Sequence, residues 1–315
     1  TVKLLPDHLA IPAHCPLTYP TTSLKNEESL LHTTYKEYTG MQQSDPSHNP
    51  VIAFLTDFGL SDGFVAVMHA VVLGITPQAR LIDISHAIPP QRITDGAWTL
   101  ANTYRYFPPS TVFVCVVDPG VGSVRRPLAL HAGDWYFVGP DNGLFSYILM
   151  QQPVHKAVAL QNSAYHLQNI SSTFHGRDIF SPVAAYLARG VMLDDLGPAL
   201  DPASLVRLPL QPAHRDGQHV EGSVAHIDHF GNLLTNIPSQ LVPELFHAPS
   251  VSLTIANTTI RDRQRYFADP SRHTGSPFIF VDSSNYLAIA IRNGNAARTL
   301  NVSCDTPLSL TIDSK

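Results

Sequence analysis

The chain has 315 residues and a formal net charge of −5, with 44% hydrophobic and 14% charged residues. This balance excludes a disordered chain and gives no basic surface that would favour nucleic acid or acidic lipid as a partner. No apolar stretch reaches the roughly 18 residues of a membrane span. The three cysteines form no CxxC pair, so neither a disulfide scaffold nor a thiolate zinc site is expected. We therefore predict a soluble, cytoplasmic protein, and the length predicts about two domains.

Residues 1–49 differ in composition from the rest of the chain. They contain Pro6, Pro12, Pro16, Pro20 and Pro46 and show no persistent period of 2 or 3.6 residues. Nor do they show the pattern of a secretory or transit signal. We predict an irregular N-terminal extension over this range.

Strand and helix patterns alternate over residues 50–208. Apolar runs at 51–55, 80–84 and 111–117 predict strands, and the segments between them, at 64–72 and 93–106, predict helices. Ser61 and Asp62 offer an N-cap for the first helix. A hairpin is predicted at 128–138 and a further helix at 180–189. This alternation favours an α/β domain with a central, mainly parallel sheet flanked by helices.

The pattern changes after a predicted linker at 209–219. From residue 220 to 315 the apolar runs are short and separated by turn residues, which predicts a smaller all-β antiparallel, barrel-like domain. The six predicted strands cover 222–227, 233–237, 251–255, 278–281, 286–291 and 308–312.

Two carboxylates follow strands of the predicted parallel sheet. Asp57 comes after the first strand and Asp118 after the third. Ligands bind beyond the carboxyl ends of such strands, so both are candidates for a site. The alternative is that each residue only caps the following turn.

The segment DPGVGSVRR that begins at Asp118 combines flexible backbone with charge. Gly120 and Gly122 allow close approach of backbone N–H groups to a ligand. Of Arg125 and Arg126, we expect one to be a solvated residue at the entry to the hairpin. The Lys-Ser/Thr of a Walker loop is missing and no GxGxxG occurs, which argues against ordinary ATP and NAD sites.

His175 lies in the segment TFHGRD, just before the predicted helix at 180–189. It is either a functional imidazole or one of 16 histidines without a role. Together with Asp178, Asp57 and Asp62 it could suit a divalent ion. No HxH, HxxxH or HExxH spacing occurs, however, so no metal site is predicted.

In the second domain, Asp228 and Asn232 flank a tight turn at Gly231. The carboxamide of Asn232 can read a purine edge through its paired donor and acceptor. The alternative is an Asx turn inside a hairpin.

Seven motifs in order resemble the S-adenosyl-L-methionine (SAM) hydroxide adenosyltransferases, which are related to the fluorinase and chlorinase. They are TDFG followed by Asp62, SHAIPPQ, VDPGVGSVRR, GPDNG, TFHGRD, DHFGNLLTN and IRNGNAA, and the resemblance runs from Val51 to Ile312. It implies an α/β domain joined to a smaller β domain. It also implies a homotrimer whose active sites lie between the first domain of one subunit and the second domain of its neighbour.

The resemblance also implies roles for particular residues. Asp118, Arg125 and His175 match the set that surrounds the nucleophilic water in the hydrolytic members, whereas the halogenating members lack it. Asp57 matches the residue that binds the ribose hydroxyls. The other substrate positions are Asp62 and Asp228 near the methionine ammonium, Asn232 with backbone groups near Arg292 and Asn293 at adenine, Phe230 and Phe267 as aromatic walls, and Ser283 at the methionine carboxylate. Ser284 and Asn285 stand where the family usually has a glycine.

The implied reaction is hydrolysis of SAM, the small-molecule substrate, to adenosine and L-methionine by SN2 attack at ribose C5′, with no cofactor. Asp118 and His175 would orient the water and accept its proton, and Arg125 would stabilise the developing hydroxide. The alternatives are a SAM-dependent halogenase, a non-catalytic SAM or adenosine sensor, and a metallohydrolase.

Overall fold

The structure, a computed structural model, describes residues 49–267 and 275–313. The predicted extension at 1–49 lies, except for its last residue, outside the described residues. Within the described part of the chain, no helix is both long and apolar enough to cross a membrane.

The first domain is built on a six-stranded sheet in the order β2-β1-β3-β5-β4-β6. β2, β1, β3 and β5 pair in parallel, and β4 alone runs in the opposite direction between β5 and β6. The strands are β1 (Val51–Thr56), β2 (Arg80–Ser85), β3 (Val112–Val116), β4 (Pro127–Ala132), β5 (Trp135–Pro140) and β6 (Val154–Ala159). Its helices are α1 (Phe64–Ile75), α2 (Ile93–Ala101), α3 (Ser146–Gln151), α4 (Ser181–Ala188) and α5 (Leu193–Leu196).

Successive residues of the central strands pack on opposite faces of this sheet. Ile52 and Phe54 of β1 contribute to the core on the side of α1 and α4, whereas Ala53 and Leu55 contribute to the core on the side of α2 and α3. Because both faces are covered by helices, β1 and β3 need apolar residues at every position. This explains the uninterrupted apolar runs in the sequence.

The second domain is antiparallel. Its strand order is β11-β10-β14-β8-β9-β13-β12, with β7 added beside β8. Its elements are β7 (His214–Asp216), β8 (His219–Ile227), β9 (Leu233–Pro238), β10 (Ser250–Ile255), β11 (Thr258–Ile260), β12 (Pro277–Val281), β13 (Tyr286–Ile291), α6 (Ala296–Leu300) and β14 (Pro307–Asp313). A bridge from Arg263 to Ile279 links the two ends of the sheet, so the barrel is nearly closed. The predicted fold class is confirmed for both domains.

Several local expectations differ from the structure. The helix predicted at 93–106 ends at Ala101, and a separate 3-10 turn, Tyr104–Tyr106, follows it. Gly63, not Ser61 or Asp62, occupies the N-cap of α1, with no side-chain cap. Strands β6, β7 and β11 and helices α3 and α5 were not predicted, because they are short and polar residues such as His155 and Lys156 interrupt their apolar patterns. β7 lies within the predicted linker at 209–219; the domain boundaries themselves stay a prediction.

Candidate functional site

Asp118, Arg125 and His175 meet beyond the carboxyl end of β3. The Arg125 Nε donates to both carboxylate oxygens of Asp118 at 3.0 Å, and its Nη2 donates to Oδ2 as well. The same Nη2 lies 2.8 Å from Nδ1 of His175. The Asp118 and Arg125 side chains are only 4% and 9% exposed. A charge-assisted, bidentate pair of this kind fixes both side chains in position.

The contact with Arg125 determines which nitrogen of His175 carries the proton. A guanidinium has donors and no acceptor, so Nδ1 of the imidazole must accept the hydrogen bond. In the neutral ring the proton therefore lies on Nε2, which becomes a donor. Arg125 Nη1 is also a donor; it is buried and has no hydrogen-bond partner among the described residues.

The surroundings of His175 favour its neutral form. Burial is the largest effect that lowers the pKa of His175, and the positive charge of Arg125 lowers it further. The carboxylates of Asp118 and Asp178 oppose this shift. The result is an imidazole that stays uncharged and holds the Nε2–H tautomer at neutral pH.

Close backbone packing brings the segments that carry this cluster together. Gly122 has a φ of +77°, and a Cβ added to it would lie 2.3 Å from the carbonyl oxygen of Ser172. Ser172 precedes His175 by three residues, so the glycine lets the Asp118 loop approach the His175 loop. The chain then forms a π-helical turn, Gly176–Phe180, before α4. Such turns are rare in proteins as a whole, but those that occur are often found at functional sites.

We expect Gly122→Ala to destabilise the protein by about 1–3 kcal/mol or more, because the new methyl group collides with a carbonyl oxygen. Chemical denaturation followed by circular dichroism measures this free energy. Gly190→Ala is the matched control, since Gly190 also has a positive φ, +91°, but nothing lies within 4 Å of an added Cβ. Equal destabilisation by the two variants would contradict the close-approach argument.

Arg126 has a structural role rather than the solvated one expected for one of the two arginines. Its Nε donates to the buried carboxylate of Asp141 at 2.8 Å, and its Nη2 donates to the carbonyl of Ser204. Asp141 also accepts from the backbone N–H of Val206 at 2.9 Å. The GPDNG motif therefore anchors the chain at 204–206, and Arg125 alone is directed to the cluster with Asp118 and His175.

Asp57 and Asp62 follow β1, the strand beside β3. The Asp57 carboxylate accepts a hydrogen bond at 2.8 Å from the backbone N–H of Gln91 in the SHAIPPQ motif. Gln91 has a φ of 66°, a left-handed conformation that directs its N–H toward Asp57. Asp62 is exposed. Since β1 and β3 are parallel neighbours, Asp57 and Asp118 lie at the same edge of the sheet, as predicted.

The other predicted substrate residues gather around a separate cavity of about 1080 Å³, lined by the second domain and by one face of α2. Its walls are partly aromatic, with Trp98 of α2 and Phe280 of β12 among them. The predicted residues that line it are Asp228, Phe230, Asn232, Phe267, Ser283 and Asn293. Asp118, Arg125 and His175 do not line this cavity.

The turn at 228–232 is an Asx turn, the alternative left open by the sequence. Asp228 Oδ1 accepts from the backbone N–H of Phe230 and of Asn232, and Oδ2 accepts from the Asn232 side chain at 2.7 Å. Gly231 has a φ of +83°, and a Cβ there would lie 2.1 Å from Asn295. The DHFGNLLTN and IRNGNAA motifs are thus packed against each other.

The loop at 283–285 has Ser284 and Asn285 where the family usually has a glycine, and its backbone accommodates them. Asn285 takes a left-handed conformation, with a φ of 64°, which asparagine tolerates better than most residues. Asp282 Oδ1 accepts from the backbone N–H of Ser284 and of Tyr286. Ser283 is exposed at the rim of the cavity. Arg292 is half-buried and does not itself line the cavity.

The sequence did not point to three other residues near the Asp118 cluster. The ring of Phe180 lies under the Arg125 guanidinium, 5.4 Å from Cζ to the ring centroid. His166 has two buried ring nitrogens without a partner in the described chain. Burial lowers the pKa of His166 most, and the neighbouring imidazole of His175 lowers it further. Phe174 packs edge-on against Phe58 and Phe64. Among the residues of this paragraph, Phe58 lies in the TDFG motif and Phe174 in the TFHGRD motif, but neither had been singled out as a site residue.

A buried Asp–Arg–His cluster at the edge of a parallel sheet, together with a partly aromatic cavity beside the second sheet, is the arrangement of an enzyme site. The model of the SAM hydroxide adenosyltransferase N-terminal domain matches residues 52–197, and that of the C-terminal domain matches residues 222–309. The chain belongs to the SAM hydroxide adenosyltransferase family, as its motifs indicated.

Individual relatives agree with this assignment. A protein of Salinispora tropica named (R)-S-adenosyl-L-methionine hydrolase is 41% identical over 263 residues, which cover 83% of this chain and 98% of the relative. A fluorinase of an Actinoplanes species is 27% identical over 292 residues, covering 84% and 98%. A crystal structure of an uncharacterized conserved protein from Thermotoga maritima matches with a TM-score of 0.77 at 35% identity, covering 82% of this chain and 99% of that one.

Proposed function

We propose that this protein hydrolyses SAM to adenosine and L-methionine. The observation that carries the proposal is the buried cluster of Asp118, Arg125 and His175, which presents donors and a carboxylate suited to hold a water molecule. The relative named as a SAM hydrolase adds support, since it is 41% identical along nearly its whole length. SAM is the substrate, and the chemistry requires no cofactor.

The reaction is a substitution at ribose C5′. A bond forms between the water oxygen and C5′ while the bond between C5′ and the sulfonium sulfur breaks, and the sulfur keeps the electron pair. The leaving group is the neutral thioether of methionine, so it needs no general acid. Water is a poor nucleophile with a pKa of about 15.7. The protein must therefore orient the water and take up its proton.

The geometry supports a division of labour among the three residues. Nδ1 of His175 is occupied by Arg125, so the imidazole offers its Nε2–H to the water oxygen and orients it. The carboxylate of Asp118 keeps lone pairs beyond those used by Arg125 and takes the proton. Nη1 of Arg125, which has no partner among the described residues, stabilises the developing hydroxide.

Substrate binding is assigned to two sets of residues. Asp57 and Asp62 at the sheet edge would hold the ribose and the methionine ammonium. Residues of the cavity in the second domain would hold adenine and the rest of methionine: Asp228, Phe230, Asn232, Phe267 and Ser283, with backbone groups near Arg292 and Asn293. A concave, partly aromatic surface suits a planar purine.

Asp57→Ala should raise the Kd for SAM by about 10- to 100-fold, because a carboxylate that accepts from two hydroxyls is lost and charge-assisted hydrogen bonds contribute about 1.5–3 kcal/mol. Isothermal titration calorimetry measures the change. Asp134→Ala is the control, an exposed carboxylate in the turn between β4 and β5. Unchanged affinity in Asp57→Ala would remove Asp57 from the binding site.

A homotrimer is part of the proposal, with each active site formed between two subunits. In one chain the cavity of the second domain does not include the Asp118 cluster, so a neighbour's cavity would complete the site. Exposed apolar residues are available for association around α1 and the edge strand β2: Leu60, Phe64, Val67, Leu73 and Ile82. Sedimentation equilibrium should give three times the 34.4 kDa chain mass; a monomer that hydrolyses SAM would contradict this arrangement.

A cytoplasmic location is also proposed. Neither Cys115 nor Cys304 forms a disulfide within the described part of the chain, which fits a reducing compartment.

One incubation tests the activity against its alternatives. SAM is mixed with the protein, with and without EDTA, chloride and fluoride, and the products are identified by mass spectrometry. Hydrolysis predicts equal amounts of adenosine and methionine under all conditions. A 5′-halo-5′-deoxyadenosine would indicate a halogenase, binding without products a sensor, and loss of activity with EDTA a metallohydrolase; each would overturn the proposal.

A further inference from the structure

His69, Asp83 and His86 form a cluster on the outer side of the first sheet. His69 lies on α1, Asp83 on the edge strand β2, and His86 follows the end of β2. Both His69 Nε2 and His86 Nε2 approach the same oxygen, Asp83 Oδ1, at 2.9 and 3.0 Å. Within the described residues this is the one group of three or more such side chains whose ligand atoms lie within 4.8 Å of one another.

Hydrogen bonding inside the protein does not satisfy this cluster. The His86 side chain is only 2% exposed, and its Nδ1 is bonded to Thr56 Oγ1 at 2.8 Å. Its Nε2 is buried and, despite its closeness to Asp83, has no hydrogen bond of acceptable geometry with any described residue. A buried ring nitrogen without a partner is costly, so its position calls for an explanation.

The donor set is the one that transition metals prefer. Two imidazole nitrogens and a carboxylate oxygen suit Zn²⁺ and similar borderline divalent ions. In a tetrahedral zinc site, with bonds of about 2.0–2.1 Å, ligand atoms lie roughly 3.3 Å apart. The two distances to Asp83 Oδ1 need to open by a few tenths of an ångström to accept such an ion. The two imidazole nitrogens lie within 4.8 Å of each other and need to reach the same separation of roughly 3.3 Å.

The surroundings resemble those of a metal site with one open position. Thr56 orients His86 through Nδ1, which is how residues around a metal commonly direct its histidine ligands. The ring of Phe54 packs edge-on against His69, with centroids 4.6 Å apart. The His69 and Asp83 side chains are 23% and 42% exposed, so solvent reaches the cluster and can supply further ligands.

We propose that His69, Asp83 and His86 bind one divalent transition-metal ion of the zinc type. The ion would join α1, β2 and, through Thr56, the end of β1 that leads to Asp57. It would brace the segment that carries Asp57 without taking part in SAM hydrolysis. This inference does not depend on the proposed function, and its test uses no turnover measurement.

Equilibrium dialysis of the EDTA-treated full chain, free of any affinity tag, against Zn²⁺ tests the proposal. One equivalent should bind to the wild type, and Co²⁺ should give the intense visible absorption of a tetrahedral site. His69→Ala and Asp83→Asn should each weaken the affinity by at least about 10- to 100-fold, since even residues around metal ligands have effects of that size. Both positions are partly exposed, so the variants should fold, which circular dichroism verifies.

The matched control is a second histidine pair, His131 on β4 and His155 on β6, whose rings are 4.8 Å apart. The double variant His131→Ala/His155→Ala should keep the full equivalent of Zn²⁺. Loss of binding in this control, retention of binding in both folded variants of the cluster, or failure of the wild type to bind Zn²⁺ would each overturn the assignment.

Discussion

Asp118→Asn is expected to lower kcat for SAM hydrolysis by about 10²- to 10⁴-fold while the Kd for SAM changes little. The amide keeps the size of the side chain but cannot accept a proton from water. It also removes the negative charge that holds Arg125, so the guanidinium loses its ion pair and its position. Single-turnover release of adenosine, followed by chromatography, measures the effect on the chemical step.

Two controls accompany this experiment. Asp134→Asn removes an exposed carboxylate in the turn between β4 and β5, at the end of β4 away from Arg125, and should keep wild-type turnover. Circular dichroism and SAM binding show whether Asp118→Asn is folded, which matters because a buried charge without its partner destabilises a protein. Normal adenosine release from a folded Asp118→Asn variant would exclude Asp118 as the proton acceptor.

For His175, we expect alanine and glutamine to behave differently. His175→Ala should lower kcat by about 10²- to 10³-fold, because both the hydrogen bond from Arg125 and the donor at Nε2 are lost. In His175→Gln the amide oxygen can accept from Arg125 and the amide nitrogen can donate to the water, as the neutral imidazole does. Glutamine should therefore recover a large part of the activity. If glutamine is as inactive as alanine, His175 acts as the base.

The pH dependence provides an independent check on His175. Its pKa lies below the ordinary value of about 6.5 because of burial and Arg125. Activity that depends on the neutral ring of His175 is complete above the ordinary pKa of about 6.5. It falls as the pH drops through the lowered pKa, because a proton on Nδ1 would then face the positive charge of Arg125. The unfolded chain binds this proton more readily, so stability also falls in that window. His175→Gln should lack this step in its profile of kcat against pH.

The apolar periodicity of the sequence determined most of the fold. Uninterrupted runs such as 111–117 predicted strands buried on both faces, and the change to short runs after residue 220 marked the antiparallel domain. Short or polar strands at the edges of the sheets, among them β6, β7 and β11, were not predicted from the sequence. Their pairing partners, and not their own composition, make them strands.

The sequence also selected the individual residues of the site. A family resemblance carried by seven motifs picked out Asp118, Arg125 and His175, and the structure places these three together although 50 residues separate Arg125 from His175. Residue type and spacing alone did not separate Arg125 from Arg126, so the choice of Arg125 rested on the resemblance. In the structure their partners differ: a cluster with Asp118 and His175 for one, and Asp141 for the other.

Tertiary structure alone decided the features that depend on distance between separate segments. Local spacing gave no reason to expect the proposed metal site, because His69, Asp83 and His86 come from a helix, a strand and a loop and converge only when α1 packs beside β2. The tautomer of His175 follows from the direction of one Arg125 nitrogen. Sequence patterns record which face a residue takes within its own element, whereas a site depends on how several elements are placed in space.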